Sequence, residues 1–313
     1  MTIAYTPRIL VTGSNGQIGT VLVKALRERH GTENVIASDL VHSEIEGPFE
    51  IINILDTERI ESVIEKYEVT EIYHLAALLS SKGEQKIELT WDINLNSYLS
   101  ILNLARKHKV KKIFFPSTIG VFGPTTPRQL TPQDTVLLPG TVYGISKLTG
   151  ELWNQYYRTK FDMDIRSIRY PGVISYEVIP TGGTTDFAVE IFFDAILKGH
   201  YKCYLSEDTT LPMVYMPDVI NATLKLMSAP KENISISYGY NISGFSVSPK
   251  DLYHEIIKKI PKFKIKYKPD QRQKIADSWS ETIDDSLARK DWGWSPEFDV
   301  ASMSEDMIKN IKT

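Results

Sequence analysis

The feature that most constrains this chain is a short apolar strand that runs directly into a glycine turn and then a helix. Arg8-Ile-Leu-Val-Thr12 is rich in β-branched and apolar residues and stops at Gly13. Gly13, Gly16 and Gly19 follow in a GxxGxxG pattern, and residues 17–29 place Ile18, Val21, Leu22, Ala25 and Leu26 on one helical face. Such a turn brings backbone without Cβ to the free N–H groups of a helix start, where the dipole favours a phosphate. The third glycine lets the helix pack closely on its sheet. The same spacing also occurs in ordinary tight strand–helix turns, so its meaning depends on its surroundings.

The surroundings alternate between strand and helix. Residues 35–38, 49–53, 71–76, 111–117 and 164–170 read as strands, with helices at about 56–66, 90–108 and 143–160. Right-handed crossovers turn this rhythm into an α/β fold of Rossmann type, a doubly wound parallel sheet covered on both faces. After Pro171 the rhythm breaks. Residues 171–185, rich in Pro, Gly and Thr, read as a loop. Helices are expected at 186–197 and at 217–228, the latter begun by Pro217 with Asp218 in its first turn. A late strand is expected at 240–242, and Ser248 is placed to cap a further helix. We therefore expect a cofactor-binding domain at 1–175, with returning segments at about 210–245, and a smaller α+β substrate lobe at 176–313.

Composition removes several classes of function. With 313 residues, 42% hydrophobic and 24% charged, the chain has ordinary soluble-globular make-up. Its net charge of -3 gives no basic excess for nucleic acid or an anionic membrane, and no apolar run nears the roughly 18 residues of a membrane span. Cys203 is the single cysteine, which excludes an intramolecular disulfide and paired thiolate ligands and fits a reducing compartment. The six histidines show no i,i+3 or i,i+4 pairing, so no metal is expected and a zinc-dependent dehydrogenase is excluded. The stretch Met1 to Pro7 is too short for a leader. The expected location is the cytoplasm, or the mitochondrial matrix if the chain is a processed eukaryotic one.

Asp39 ends the second strand, 20 residues after Gly19. A carboxylate there accepts hydrogen bonds from an adenosine ribose and repels a 2′-phosphate. No Lys or Arg between Asp39 and Gly47 offsets it, so NAD is favoured over NADP. Farther on, Tyr143 and Lys147 stand at i and i+4 on one helix, where a cation is expected to lower the phenol's pKa and fit it for general base work. A YxxxK match alone is common by chance. Thr118, at a strand end 25 residues before Tyr143, adds a third element, and either Thr118 or Ser117 is placed to donate to a reacting oxygen.

With the glycine turn, Ser117-Thr-Ile-Gly-Val-Phe-Gly123 and Tyr143xxxLys147 in this order, the chain resembles the extended short-chain dehydrogenase/reductases, which include sugar-nucleotide epimerases and dehydratases. The resemblance gives Thr118 the family's catalytic Ser/Thr position and Asn94 that of a helix asparagine holding a relay water. Asn15, Gln17 and Ile18 in the turn, Asn53 and Ile54 near an adenine, and Leu75, Ala76 and Ala77 after the fourth strand would contact the cofactor. So would Tyr143, Lys147, Tyr170, Pro171 and Val173.

Five further blocks, among them Arg169-Tyr-Pro-Gly-Val-Ile-Ser175, Pro180-Thr-Gly-Gly-Thr-Thr-Asp-Phe-Ala188 and Ala276-Asp-Ser-Trp279, are similar to the short-chain L-threonine dehydrogenases. That likeness implies oxidation of the threonine β-hydroxyl to 2-amino-3-ketobutyrate with NAD, Tyr143 taking the proton. It places Ser80, Ser117, Thr118, Tyr143, Gly183, Thr184, Thr185 and Trp279 at the substrate, although Ser80 and Thr185 also suit turn roles and Trp279 a core role. The likeness also implies a homodimer through the helices bearing Asn94 and Tyr143, using stripes at Leu95, Leu99 and Leu102 and at Leu148, Leu152 and Tyr156.

Two departures stand out. Leu138-Pro-Gly-Thr141 replaces a segment that commonly carries arginine, and Phe187 stands where tyrosine is usual. Rival readings are a nucleotide-sugar epimerase or dehydratase, with Arg272, Lys274 and Arg289 serving a diphosphate, and a non-catalytic NAD sensor. A purely structural subunit has no positive feature in its favour.

Overall fold

Alternate residues of the first strand face opposite ways, and both faces are apolar, as a sheet sandwiched between helices requires. The computed structural model of the protein describes residues 6–177 and 183–312, the side chains of 81 and 82 excepted. Pro180, Thr181 and Gly182 of the glycine-threonine block lie outside the described residues.

Strand β1 (Ile9–Thr12) passes through the glycine turn into helix α1 (Gln17–His30). Then come β2 (Val35–Asp39), β3 (Phe49–Ile51), α2 (Thr57–Tyr67), β4 (Glu71–His74) and a single turn, α3 (Ser80–Gly83). The expected helix at 90–108 is longer and interrupted. It begins as α4 (Ile87–Trp91), widens by one turn at Asp92–Asn96, where the Ser97 N–H reaches back five residues to Asp92 O, and continues as α5 (Ser97–Lys107). Next stand β5 (Lys112–Thr118), α6 (Val142–Phe161) and β6 (Asp164–Tyr170).

The segment after Pro171 departs from its expected loop, because Gly172–Ile174 forms strand β7. Pro-Gly reads locally as a breaker, but here the glycine serves close packing. A Cβ on Gly172 would fall 2.2 Å from Met213 Sδ and 2.8 Å from Thr185 Cβ. Beyond it come α7 (Phe187–Leu197), β8 (His200–Cys203), β9 (Leu211–Tyr215) and α8 (Met216–Ser228). The remainder is β10 (Tyr240–Asn241), β11 (Phe245–Val247), α9 (Pro249–Lys259), β12 (Lys264–Tyr267), α10 (Arg272–Asp277), α11 (Ser286–Trp292) and α12 (Val300–Asn310). Ser248 caps α9 as expected, its hydroxyl accepting from Asp251 N in a reciprocal box.

The seven-stranded sheet runs β10-β6-β5-β4-β1-β2-β3, every pairing parallel. Ile9 and Val11 share one core with α1, α8 and Trp292, while Leu10, Ile36 and Ile113 share the other with α2 and α5. The order reverses beside β1, between the paths to β2 and to β4, and this is where such sheets open a crevice at their strand ends. A three-stranded sheet, β11-β9-β7, and a two-stranded pair, β12-β8, pack with α7, α9 and α12 around a third core.

Candidate active site

A cleft of about 370 Å³ opens at the carboxyl ends of β1, β4, β5 and β6. The glycine turn forms one end. Gly13 adopts φ +72°, and a Cβ on it would lie 2.6 Å from Ala76 N; a Cβ on Gly19 would lie 2.3 Å from Gly13 O. Both positions therefore exclude a side chain. Gly16 caps α1 without a side-chain hydrogen bond, and the helix has no acidic residue in its first turn, so its N–H groups remain available to an anion. Ser14 Oγ and Gln17 Nε2 are buried with no partner among the described residues. Polar atoms left in this state, beside free helix N–H groups, fit a dinucleotide's phosphates.

Asp39 holds the glycine turn in place. Its Oδ2 accepts from Asn15 N at 2.9 Å and its Oδ1 from Leu40 N at 2.7 Å, tying the turn to β2. Asn15, Gln17, Ile18, Leu75, Ala77, Tyr170, Pro171 and Val173 line the cleft, while Asp39, Asn53, Ile54 and Ala76 do not. Asn53 Oδ1 instead accepts from Leu55 N, Ile54 is buried in the core, and the Ala76 backbone is packed on Gly13.

At the other end, helix α6 is brought hard against the end of β5. A Cβ on Gly144 would sit 2.1 Å from Gly120 O, so glycine permits this approach. Thr141 caps α6 by accepting from Gly144 N, and Glu84 accepts from Val142 N at 2.8 Å. Tyr143 thereby meets Thr118, whose Oγ1 accepts from Gly120 N at 3.1 Å. Burial pushes the Tyr143 phenol up to about 12, and its hydrogen bond with Thr118 offsets part of that rise. Burial likewise pulls Lys147 down to about 7. Lys147 Nζ donates to Pro116 O at 2.9 Å and lies 4.5 Å from the Phe115 ring centroid. The expected lowering of the tyrosine pKa by the lysine is therefore corrected. Desolvation opposes both charged forms, and the ammonium is aimed at a carbonyl rather than at the phenol.

All the expected substrate residues line the cleft: Ser80, Ser117, Thr118, Tyr143, Gly183, Thr184, Thr185 and Trp279. Thr184 is 1% exposed, and its hydroxyl has no partner among the described residues. Asn94 is placed behind the cleft wall. Its amide exchanges two hydrogen bonds with the Leu78 backbone and reaches Ser146 Oγ at 3.2 Å, and the widened turn of its helix accompanies this placement.

The sequence pattern of the NAD dependent epimerase/dehydratase family matches residues 9–242. The chain belongs to this family. Among its relatives, the mitochondrial L-threonine 3-dehydrogenase of Sus scrofa is 43% identical over 97% of this chain and 83% of that protein. A GalE-like L-threonine dehydrogenase from Cupriavidus necator, in its holo form, superposes with a TM-score of 0.96 at 46% identity, covering 98% of this chain and 100% of that one. A monomeric L-threonine 3-dehydrogenase from a metagenome superposes at 0.94 with 47% identity, covering 97% and 98%.

Three features of the cleft and its surroundings were not found by sequence reasoning. Asp186 lines the cleft and accepts from Gly183 N. The Pro116 carbonyl holds Lys147, and the buried pair Glu151 and Arg169 lies directly beneath Ser117. Glu151 was within reach of a pattern argument, because 143, 147 and 151 share one helical face. Arg272, Lys274 and Arg289 do not line the cleft. Arg272 is bound to Asp270 and stacked on Tyr204, and Arg289 is bound to Asp285. Among the described residues, Lys147 is the one basic side chain in the lining.

Proposed function

We propose that the protein oxidises the β-hydroxyl of L-threonine to a ketone, giving 2-amino-3-ketobutyrate. The observation that carries this reading is the grouping of Tyr143, Thr118 and Lys147 at one end of a cleft whose other end is built for a dinucleotide. When bound, NAD supplies the acceptor for the β-carbon hydride. Tyr143 takes the hydroxyl proton, Thr118 donates to the reacting oxygen, and Lys147 holds the nicotinamide ribose. Thr184, a buried hydroxyl without a partner among the described residues, suits the substrate carboxylate. Support for a small zwitterion over a sugar nucleotide comes from the lining, where among the described residues Lys147 is the one basic side chain and no arginine stands ready for a second diphosphate. The relatives named as L-threonine dehydrogenases point the same way.

In this reading residues 1–175, with the returning segment at about 210–245, hold the cofactor and 176–313 close over the substrate. Strand β10 joins the large sheet and α8 shares a core with α1, which suits that division. A homodimer is also our reading, on altered grounds. Leu95 is buried, Leu102 lies in the core that Leu99 partly covers, and Leu148 packs partly against the third core, whereas Leu152 and Tyr156 are 57% and 50% exposed on α6. That leaves a narrow outward apolar face, and one relative is described as monomeric. No helix of the described residues is long and apolar enough to cross a membrane. A buried, unpaired Cys203 suits a reducing compartment, the cytoplasm or, for a processed eukaryotic chain, the mitochondrial matrix.

L-Threonine carrying deuterium at Cβ tests the reaction. The reading requires deuterium in the reduced cofactor. Turnover that leaves it on the carbon skeleton would refute hydride transfer from Cβ.

A further inference from the structure

Beneath the substrate end of the cleft lies a buried ionic group that the reaction as described does not use. Glu151 and Arg169 are each 1% exposed. Arg169 donates to both carboxylate oxygens of Glu151, Nε to Oε1 at 2.9 Å and a terminal nitrogen to Oε2 at 2.7 Å. Its remaining hydrogen bonds go to Gln133 O and Asn241 Oδ1. The carboxylate is pinned from the other side as well, since a Cβ on Gly239 would lie 2.8 Å from Oε1.

Ser117 Oγ meets this same Oε1. A carboxylate in an ion pair only accepts hydrogen bonds, so the single hydroxyl proton of Ser117 must point into the protein. What Ser117 has left for the cleft is lone pairs. Thr118, its neighbour, is set the opposite way. Its Oγ1 accepts from Gly120 N, and its proton goes to the Tyr143 phenol in the cleft lining. Two adjacent hydroxyls at one strand end are thus given opposite polarity.

We propose that Glu151 is a positioning residue that makes Ser117 an obligatory acceptor, and that Ser117 thereby selects a substrate carrying an ammonium group next to the reacting alcohol. This rests on the reading of the substrate as a small amino alcohol acid. Asp186, the acidic side chain in the lining among the described residues, accepts from Gly183 N and is the rival reader of the ammonium. A hydroxyl whose proton is fixed by a buried ion pair discriminates without adding net charge to the cleft. An analogue lacking the ammonium leaves a desolvated acceptor unpaired, which is where rejection of a near-isostere is strongest.

The experiment compares kcat/KM for L-threonine with that for (R)-3-hydroxybutyrate, the same alcohol without its amino group. Ser117→Ala is expected to lower the threonine-to-hydroxybutyrate ratio by roughly 10- to 100-fold, the worth of one hydrogen bond to a charged group, with the loss appearing in KM more than in kcat. Glu151→Gln, whose amide can donate to Ser117 and reverse its polarity, is expected to shift the ratio in the same direction. NAD binding and thermal melting confirm that the variants are folded. In the double variant the second change is expected to add nothing to the first. An unchanged ratio in folded Ser117→Ala would overturn the proposal and leave the ammonium to Asp186. A changed ratio there but not in Glu151→Gln would remove Glu151 from it. Absence of threonine turnover in the unaltered protein would instead overturn the proposed function, and the proposal with it.

Discussion

Lys147 stands 6.0 Å from the ring centroid of Tyr143, yet its ammonium gives its hydrogen bond to the Pro116 carbonyl, 2.9 Å away. Desolvation opposes the charge each needs, raising the phenol to about 12 and lowering the lysine to about 7. The site is built at the expense of stability, and binding must restore what burial removes.

The first consequence concerns stability. The folded pKa of Lys147 lies below its unfolded value of 10.5, so between about pH 7 and 10.5 the unfolded chain binds more protons and stability rises with pH. Below pH 7 the full penalty stays in place. Lys147→Met is expected to abolish turnover while raising the melting temperature near neutrality, by roughly 2–4 °C for each kcal/mol recovered. It should also flatten the rise from pH 7 to 10. Melting curves of both proteins across that range check this, and a variant that melts lower at every pH would count against the burial argument.

A second consequence is the pH profile. The base must be deprotonated and the Tyr143 phenol is held high, so kcat/KM is expected to climb with pH from 6.5 through 9. Tyr143→Phe should lose turnover by several orders of magnitude and keep NAD binding within a few-fold, since only the base is removed. Initial rates across the range, with cofactor titrations of the variant, decide it; a profile that falls with pH would remove Tyr143 as the base.

The large sheet and the glycine turn were legible in the sequence because they are local, a strand pattern closed by residues whose backbone freedom is written in their type. The cleft residues near Tyr143 were legible for the same reason. Strand β7 was not, since three residues after a proline acquire their extended form only from β9, some forty positions away. The depressed lysine was also hidden, because desolvation is a property of everything packed around Lys147 rather than of its spacing from Tyr143. Glu151 and Arg169 are separated by a helix end and a strand, and nothing in either neighbourhood announces that they meet.

Asp39 yields a third prediction. It binds the Asn15 and Leu40 amides, and the proposed function also gives it the adenosine ribose. Asp39→Ala is expected to weaken NAD by about tenfold or more and to narrow the gap between NAD and NADP. Fluorescence titration with both cofactors measures it, and an unchanged preference would end the ribose assignment.

Thr184 gives a fourth. Its hydroxyl is buried without a partner among the described residues, so removing it should leave the cleft intact and cost only what it gives to a ligand. Thr184→Val is expected to raise KM for L-threonine by about tenfold with NAD affinity unchanged. Equal weakening of cofactor and substrate would show that the residue shapes the loop instead.

The most direct test of the account is NADH formation by the purified protein with NAD and L-threonine, set beside D-threonine, L-serine and a UDP-sugar. The account predicts NADH from L-threonine far above the other amino acids and no conversion of the sugar nucleotide. Conversion of the sugar nucleotide, with no NADH from any amino acid, would contradict it.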